Sequence, residues 1–172
     1  MIWIEKLPIP PSANELYETN VYKKRKFSKK TGREYMGVGT SKRKSDVLIH
    51  FQLLCTSFKN QHLNQIKIIR EQCLGWISKG YVLRVDTWFA FEHSRLWTKD
   101  GQPQMLDADN RRKALQDGLA NILDIDDKWI FSGMIEKVTC DSKEYEQCVI
   151  KIIPVKCRTL TEIRHQRTMV DS

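Results

Sequence analysis

Apolar and polar positions along this chain repeat with two different periods, and the change of period marks the elements. Residues 2–8 alternate loosely and predict a first strand, which Pro8, Pro10 and Pro11 end. From position 46 the period lengthens. Leu48, Phe51, Leu54 and Phe58 fall at helical spacing behind Ser45 or Asp46, either of which suits an N-cap. A second helical stretch carries Leu63, Ile66, Ile69, Cys73, Leu74 and Ile77, and Lys79-Gly80 is its stop. Such a stripe is core material. The segment 81–91, YVLRVDTWFAF, is rich in β-branched and aromatic residues and predicts a central strand. A loop HSRLWTKDGQPQM follows, turning at Asp100-Gly101. A helix is predicted from about Asp109 to near Leu123, then two strands over 130–140 and 146–155, paired as a hairpin. The tail after Cys157 is polar, and no internal repeat is present. The pattern is that of an α+β domain, with a small, mixed, mostly antiparallel sheet packed against helices.

Composition narrows the class. Of the 172 residues 41% are hydrophobic, enough for a core. No apolar run reaches the ~18 residues of a membrane span. The N-terminus lacks a basic stretch followed by a long apolar one, so no signal peptide is expected. The five cysteines form no CxxC pair, which argues against a zinc site or disulfide framework and favours a reducing cytoplasm.

Charge changes the picture more. The net charge is +8, yet residues 20–45 alone carry ten cations and one acid. The cations are Lys23, Lys24, Arg25, Lys26, Lys29, Lys30, Arg33, Lys42, Arg43 and Lys44. The rest of the chain is close to neutral. Glycines in the segment predict a loop or flexible hairpin. A one-sided charge interleaved with Tyr22, Phe27 and Tyr35 suits a DNA-contacting arm better than an ordinary solvated face.

The acids are gathered elsewhere. Six of the eleven aspartates lie between 107 and 127: Asp107, Asp109, Asp117, Asp124, Asp126 and Asp127. In an extended stretch Asp107 and Asp109 point to one side. Asp109 also sits at a predicted N-cap. On the following helix Asp109, Lys113 and Asp117 line up opposite the apolar face of Leu115, Leu119, Ile122 and Leu123. Surface ion pairing explains that row alone. Asp126-Asp127, just beyond the helix, adds carboxylates that repel one another unless a cation lies between them. Several carboxylates plus water suit Mg²⁺. Such an ion can activate water against a phosphodiester, with Lys113 facing the phosphate.

Two stretches resemble a known family. LPIPPSAN at 7–14 resembles the LPxPPSxN signature of the RusA Holliday-junction resolvases. The stretch DADNRRKALQDGL at 107–119, with DD at 126–127, resembles the family's DxDNxxKxxxDxL…DD pattern. The resemblance covers about residues 1 to 155. It implies a RusA-like endonuclease domain over 1–157, carrying the basic arm at 20–45, with a polar tail at 158–172. It implies Asp107, Asp109 and Asp127 as catalytic carboxylates holding Mg²⁺ (or Mn²⁺), and Lys113 as an essential lysine. Asp117 and Asp126 match the pattern in supporting positions, and Asn110 would brace the loop. It further implies a homodimer that nicks opposite strands of a four-way DNA junction, in a bacterial or phage-infected cytoplasm. The sequence departs from compact members in its long arm, its longer region 46–79, its tail, and Gln104, Met105 and Leu106 where many members are basic.

Three functions stand at this point. One is a Mg²⁺-dependent junction resolvase. The second is a related metal-dependent nuclease for forks, flaps or other branched DNA. The third is a non-catalytic DNA-binding protein, against which the complete acidic motif argues.

Overall fold

In the computed structural model the strand Tyr81–Glu92 is the spine of the molecule. The structure describes residues 1–157 apart from Lys29, Thr31, Met105 and Asp107; the tail at 158–172 lies outside the described residues. Strand β1 spans Ile2–Leu7. Strands β2 (Tyr17–Phe27) and β3 (Glu34–Lys44) form the arm. Helices α1 (Asp46–Gln61) and α2 (Leu63–Ile77) follow, then β4 (Tyr81–Glu92) and the single turn α3 (His93–Leu96). Helix α4 (Arg112–Leu123) leads to β5 (Ile130–Ser132), β6 (Ile135–Cys140) and β7 (Gln147–Lys156).

The sheet order is β1-β7-β4, with β5 and β6 both on the far edge of β4. β7 runs antiparallel to β4 from Tyr81↔Lys156 to Ala90↔Gln147, and β1 runs antiparallel to β7. The predicted hairpin of the last two strands is corrected here. β6 runs parallel to β4 and β7 lies on its other side, so the two flank β4 rather than pair. A hairpin guess from spacing assumes that neighbours in sequence are neighbours in the sheet. Here a turn at Lys143–Tyr145 carries the chain past the end of β4 instead.

β5 and β6 act as one edge strand broken at Gly133-Met134. A Cβ at Gly133 would lie 1.5 Å from the Val85 carbonyl oxygen, so only glycine fits. The break leaves the Met134 amide without a ladder partner, and Asp86 of β4 accepts it at 2.8 Å. Arg84 Nε donates to the same Asp86 oxygen at 2.8 Å. Burial by itself would raise the Asp86 carboxyl, but the Arg84 and Met134 hydrogen bonds hold it below its ordinary value.

Alternation in β1, β4 and β7 sends Ile2, Ile4, Val85, Phe89, Ile150 and Ile152 inward under the helices. Trp3 and Trp88 stack outside on the opposite face, with Lys151 over the Trp3 ring. Ser45 caps α1, its Oγ accepting from the Leu48 amide at 3.1 Å. Gly118 lets α4 approach α1, since a Cβ there would already stand 3.0 Å from the Phe51 ring. Leu115, Leu119, Ile122 and Leu123 are buried, as their helical spacing requires.

The arm is an antiparallel hairpin in its own two-stranded sheet, registered from Tyr17↔Lys44 to Phe27↔Glu34. That register sets 23–26 opposite Tyr35, Met36, Gly37 and Val38, and 42–44 opposite Tyr17, Glu18 and Thr19. The two basic blocks therefore never face each other across the ladder, where like charges destabilise. Leu16 and Ser45 are buried at the root, and the Ser45 amide donates to the Leu16 carbonyl at 3.1 Å.

Candidate active site

The acidic loop is fixed from two sides. Lys137 of β6 donates its Nζ to the Leu106 carbonyl at 3.0 Å. Arg111, buried, donates to the Pro10 carbonyl and lies over the Phe91 ring at 5.6 Å. The proline-rich segment is thus more than a strand stop. Pro10 is fully buried and its backbone receives the loop's arginine. Just beyond, Ser12 and Glu15 close a one-turn helix. Glu15 Oε2 accepts from the Ser12 amide at 2.7 Å, and this bond, ahead of the Arg111 and Arg95 charges, holds the Glu15 carboxyl below its ordinary value. That turn packs against the one at Asp109–Arg111.

Asp109 opens a 3-10 turn, Asp109–Arg111, that runs into α4. This corrects the predicted cap: α4 is preceded by Arg111, no side chain caps it, and Asp109 is exposed one turn ahead. Asp107 lies outside the described residues, and Asn110 is described in its backbone alone. Lys113 and Asp117 are both exposed and pair with each other at 3.6 Å, the i,i+4 contact their spacing allows.

Beyond α4, Asp124 takes a left-handed conformation, φ 53°, and pairs with Arg70 of α2 at 3.0 Å. The chain then doubles back. A 12-residue helix rises ~18 Å, and by Gly133 the backbone is again beside the first residue of α4, its carbonyl accepting from Arg112 Nη2 at 3.0 Å. Asp126 and Asp127 lie on this return path, in a turn (Asp127–Trp129) that packs against α4. Asp126 caps that turn through the Lys128 amide at 3.1 Å and pairs with Lys128 Nζ at 2.6 Å. The Lys128 side chain first, and its amide second, lower the Asp126 carboxyl. Asp127 is exposed. Among the described residues no three His, Cys, Asp or Glu side chains form a metal-sized group.

Two residues with a clear job here were not singled out in the sequence. Arg111 read as one more cation in DNRRK, and only its burial marks it as the brace of the loop. Lys137 sits at an outward position of a strand, where a lysine is ordinary. Nucleophilic thiols are not on offer in the core: burial pushes Cys73 up to about 11 and Cys55 up to about 12. Of the basic arm, Lys29 lies outside the described residues and Lys23, Lys24, Lys26 and Lys42 are described in their backbone alone. Arg25, Lys30, Arg33, Arg43 and Lys44 are exposed. Among the described residues no helix is long and apolar enough to cross a membrane.

Residues 23–153 match the model of a protein family described as endodeoxyribonuclease RusA. No curated protein matches the chain. Among solved structures, IspF of Plasmodium falciparum in a CDP complex overlays on 91% of this chain and 97% of its own, at 14% identity. The TM-score of that overlay is 0.30, too loose to bear on fold or function.

Proposed function

The chain belongs to the RusA endodeoxyribonuclease family, and from that premise we propose that it is a Mg²⁺-dependent, homodimeric resolvase that nicks four-way DNA junctions in pairs. The observation that carries the reading is the construction of the acidic loop. A buried arginine, a buried proline and a strand lysine converge to hold a short stretch of backbone whose side chains are aspartates. A merely solvated acidic surface needs no such bracing.

The donor set suits the ion. Exposed carboxylates with hard oxygens match Mg²⁺, which keeps part of its water shell and takes phosphate oxygens as well. Asp107, Asp109 and Asp127, the carboxylates of the family pattern, are the residues that would hold it; among the described residues alone no such group forms. When bound, the ion supplies an activated water and neutralises charge at the leaving oxygen. This chain's own residues do the rest. Lys113, held by Asp117 one turn further along the helix, presents a cation towards the phosphate. Arg111 and Lys137 fix the loop so that the carboxylates meet the substrate already in place. The basic arm adds phosphate contacts that hold any DNA shape. Two copies related by a two-fold axis would meet the two equivalent strands of a junction.

The test uses labelled four-way junction, fork and linear duplex, each with Mg²⁺ or with EDTA. Paired nicks on the junction, dependent on Mg²⁺, are the expected result. Cutting confined to forks or flaps would reassign the substrate, and band shifts without cutting would leave only a binding protein. Asp107→Asn is expected to lower cutting ~10²–10³-fold, by analogy with the loss of other groups that act on charge in the transition state. Junction affinity should stay equal or rise. Loss of binding in this variant would make the aspartate structural.

A further inference from the structure

A groove of about 640 Å³ lies beside the acidic loop, and of the residues assigned above only Lys137 lines it. Its walls are His93 and Leu96 of α3, Trp97, Pro103, and Lys137 and Thr139 of β6. The His93 and Trp97 rings lie 6.3 Å apart at 24°, close to parallel. Trp97 keeps 39% of its surface exposed, so part of the indole is open to a ligand.

The platform is rigid. The Trp97 amide donates to the His93 carbonyl at 3.0 Å, and Trp97 pairs with Pro103 across a small bridge. Thr98 and Gln102 close the turn between them at 2.8 Å, with Gly101 supplying the φ of 74° that the turn needs. Gln104 reaches back, donating its side-chain amide to the carbonyls of Ser94 at 2.9 Å and Trp97 at 3.1 Å. Stacked against His93 and held by these bonds, Trp97 presents a fixed aromatic face to the groove.

We propose that this groove takes an unpaired nucleobase from the branch point of the DNA, stacked on the Trp97–His93 platform, with Lys137 towards its phosphate. The inference rests on the reading of the chain as a nuclease for branched DNA, and deepens it by naming what distinguishes branch from duplex. A base within a continuous duplex has both faces covered; one at a branch can swing out and find an aromatic face. Every base has such a face, so the site would be blind to sequence and sensitive to structure. The volume is in the ~300–1,000 Å³ range of clefts that take small organic ligands. Lys137 ties the groove to the chemistry, because the ammonium on its wall holds the carbonyl directly before the acidic positions. A base seated there would bring its strand to the carboxylates.

The experiment is photocrosslinking of the full chain, in EDTA, to a four-way junction carrying a single 5-iodouracil at the branch or in the middle of an arm. The crosslink from the branch label is expected to map to the peptide over 93–104, and the arm label is expected to leave that peptide unmodified. Trp97→Ala should abolish the branch crosslink and weaken junction binding about tenfold against unchanged binding of linear duplex. Trp97→Phe should restore both. Equal labelling from branch and arm, or a branch crosslink that maps away from the groove, overturns the proposal, whether or not Mg²⁺-dependent cutting is found. Conversely, a branch crosslink on Trp97 in a protein that never cuts would keep the groove and remove the nuclease.

Discussion

The basic arm and the acidic loop are the two charged regions of this molecule, and they are built in opposite ways. The arm is a hairpin in its own sheet, joined to the body at a root where Leu16 and Ser45 are buried. Its strands are long, and the acids and cations along them are spaced by register alone. The acidic loop is short and irregular, yet buried Arg111 and Pro10, and Lys137 and the broken edge strand of the main sheet, all reach it or its helix. The contrast follows from what each charge must do. Holding a polyanion needs only many cations at roughly the right place, because the gain comes from released counterions. Hydrolysing one phosphodiester needs carboxylates positioned to within about half an ångström. Precision therefore sits on the core, and affinity sits on the projection.

The heaviest blow to the loop side is expected from Gly133→Ala. The added methyl would stand 1.5 Å from the Val85 carbonyl oxygen, inside the backbone of β4, where no side chain can swing away. Either the edge strand or β4 must move. Overpacking against backbone that cannot swing away costs about 3 kcal/mol, the upper end of the usual range, and it also displaces the carbonyl that anchors Arg112 at the head of α4. Urea unfolding should show the loss directly. A midpoint equal to that of the parent protein would show that the break between β5 and β6 is elastic, and would weaken the case that the core sets the loop.

Neutralising Lys23, Lys24, Arg25 and Lys26 together probes the other side. Stability should hardly change, since the arm forms a sheet separate from the core. Affinity for junction, fork and duplex should fall alike. The slope of log K against log salt should flatten by ~0.9 for each phosphate contact removed. Binding titrations over a salt series measure it. An unchanged slope would take the arm out of DNA contact altogether, and a loss confined to junctions would mean that the arm reads shape.

Much of the fold was legible beforehand because it rests on periodicity. Leu115, Leu119, Ile122 and Leu123 had one helical face to themselves, and the segment 81–91 had the β-branched and aromatic content of a central strand. Ser45, with a helical stripe directly behind it, is the cap that its side chain suits. What stayed hidden depends on partners distant in sequence. Nothing local distinguishes a strand that pairs with its successor from one that lies across β4 from it, so spacing alone predicts a hairpin for the last two strands. Nothing local told that Arg111 is buried under Pro10, 101 residues away, or that Asp109 leaves the cap position to stand in a 3-10 turn. The acidic motif was readable as a set of residue types, whereas its bracing was not, because bracing is tertiary.

Asp86 gives the smallest and sharpest test of that bracing. It lies outside the acidic motif, on β4, and its carboxylate stands in for the missing ladder partner of Met134 while binding Arg84. These bonds hold its folded value below the ordinary carboxylate figure of about 3.9. The ionised form is therefore favoured by folding. Its contribution is fully present above the unfolded value and is lost as pH falls through the folded one. Asp86→Asn keeps an acceptor for the Met134 amide but removes the charge that Arg84 meets, so it should cost about 1–2 kcal/mol at neutral pH. Below about pH 4 the parent protein begins to lose the same charge, and the gap between the two should narrow. Urea titrations of both proteins at pH 7 and pH 3 supply the comparison. If the gap stayed constant between those pH values, the charge on Asp86 would be irrelevant to the edge strand, and the head of α4 would be held by shape alone.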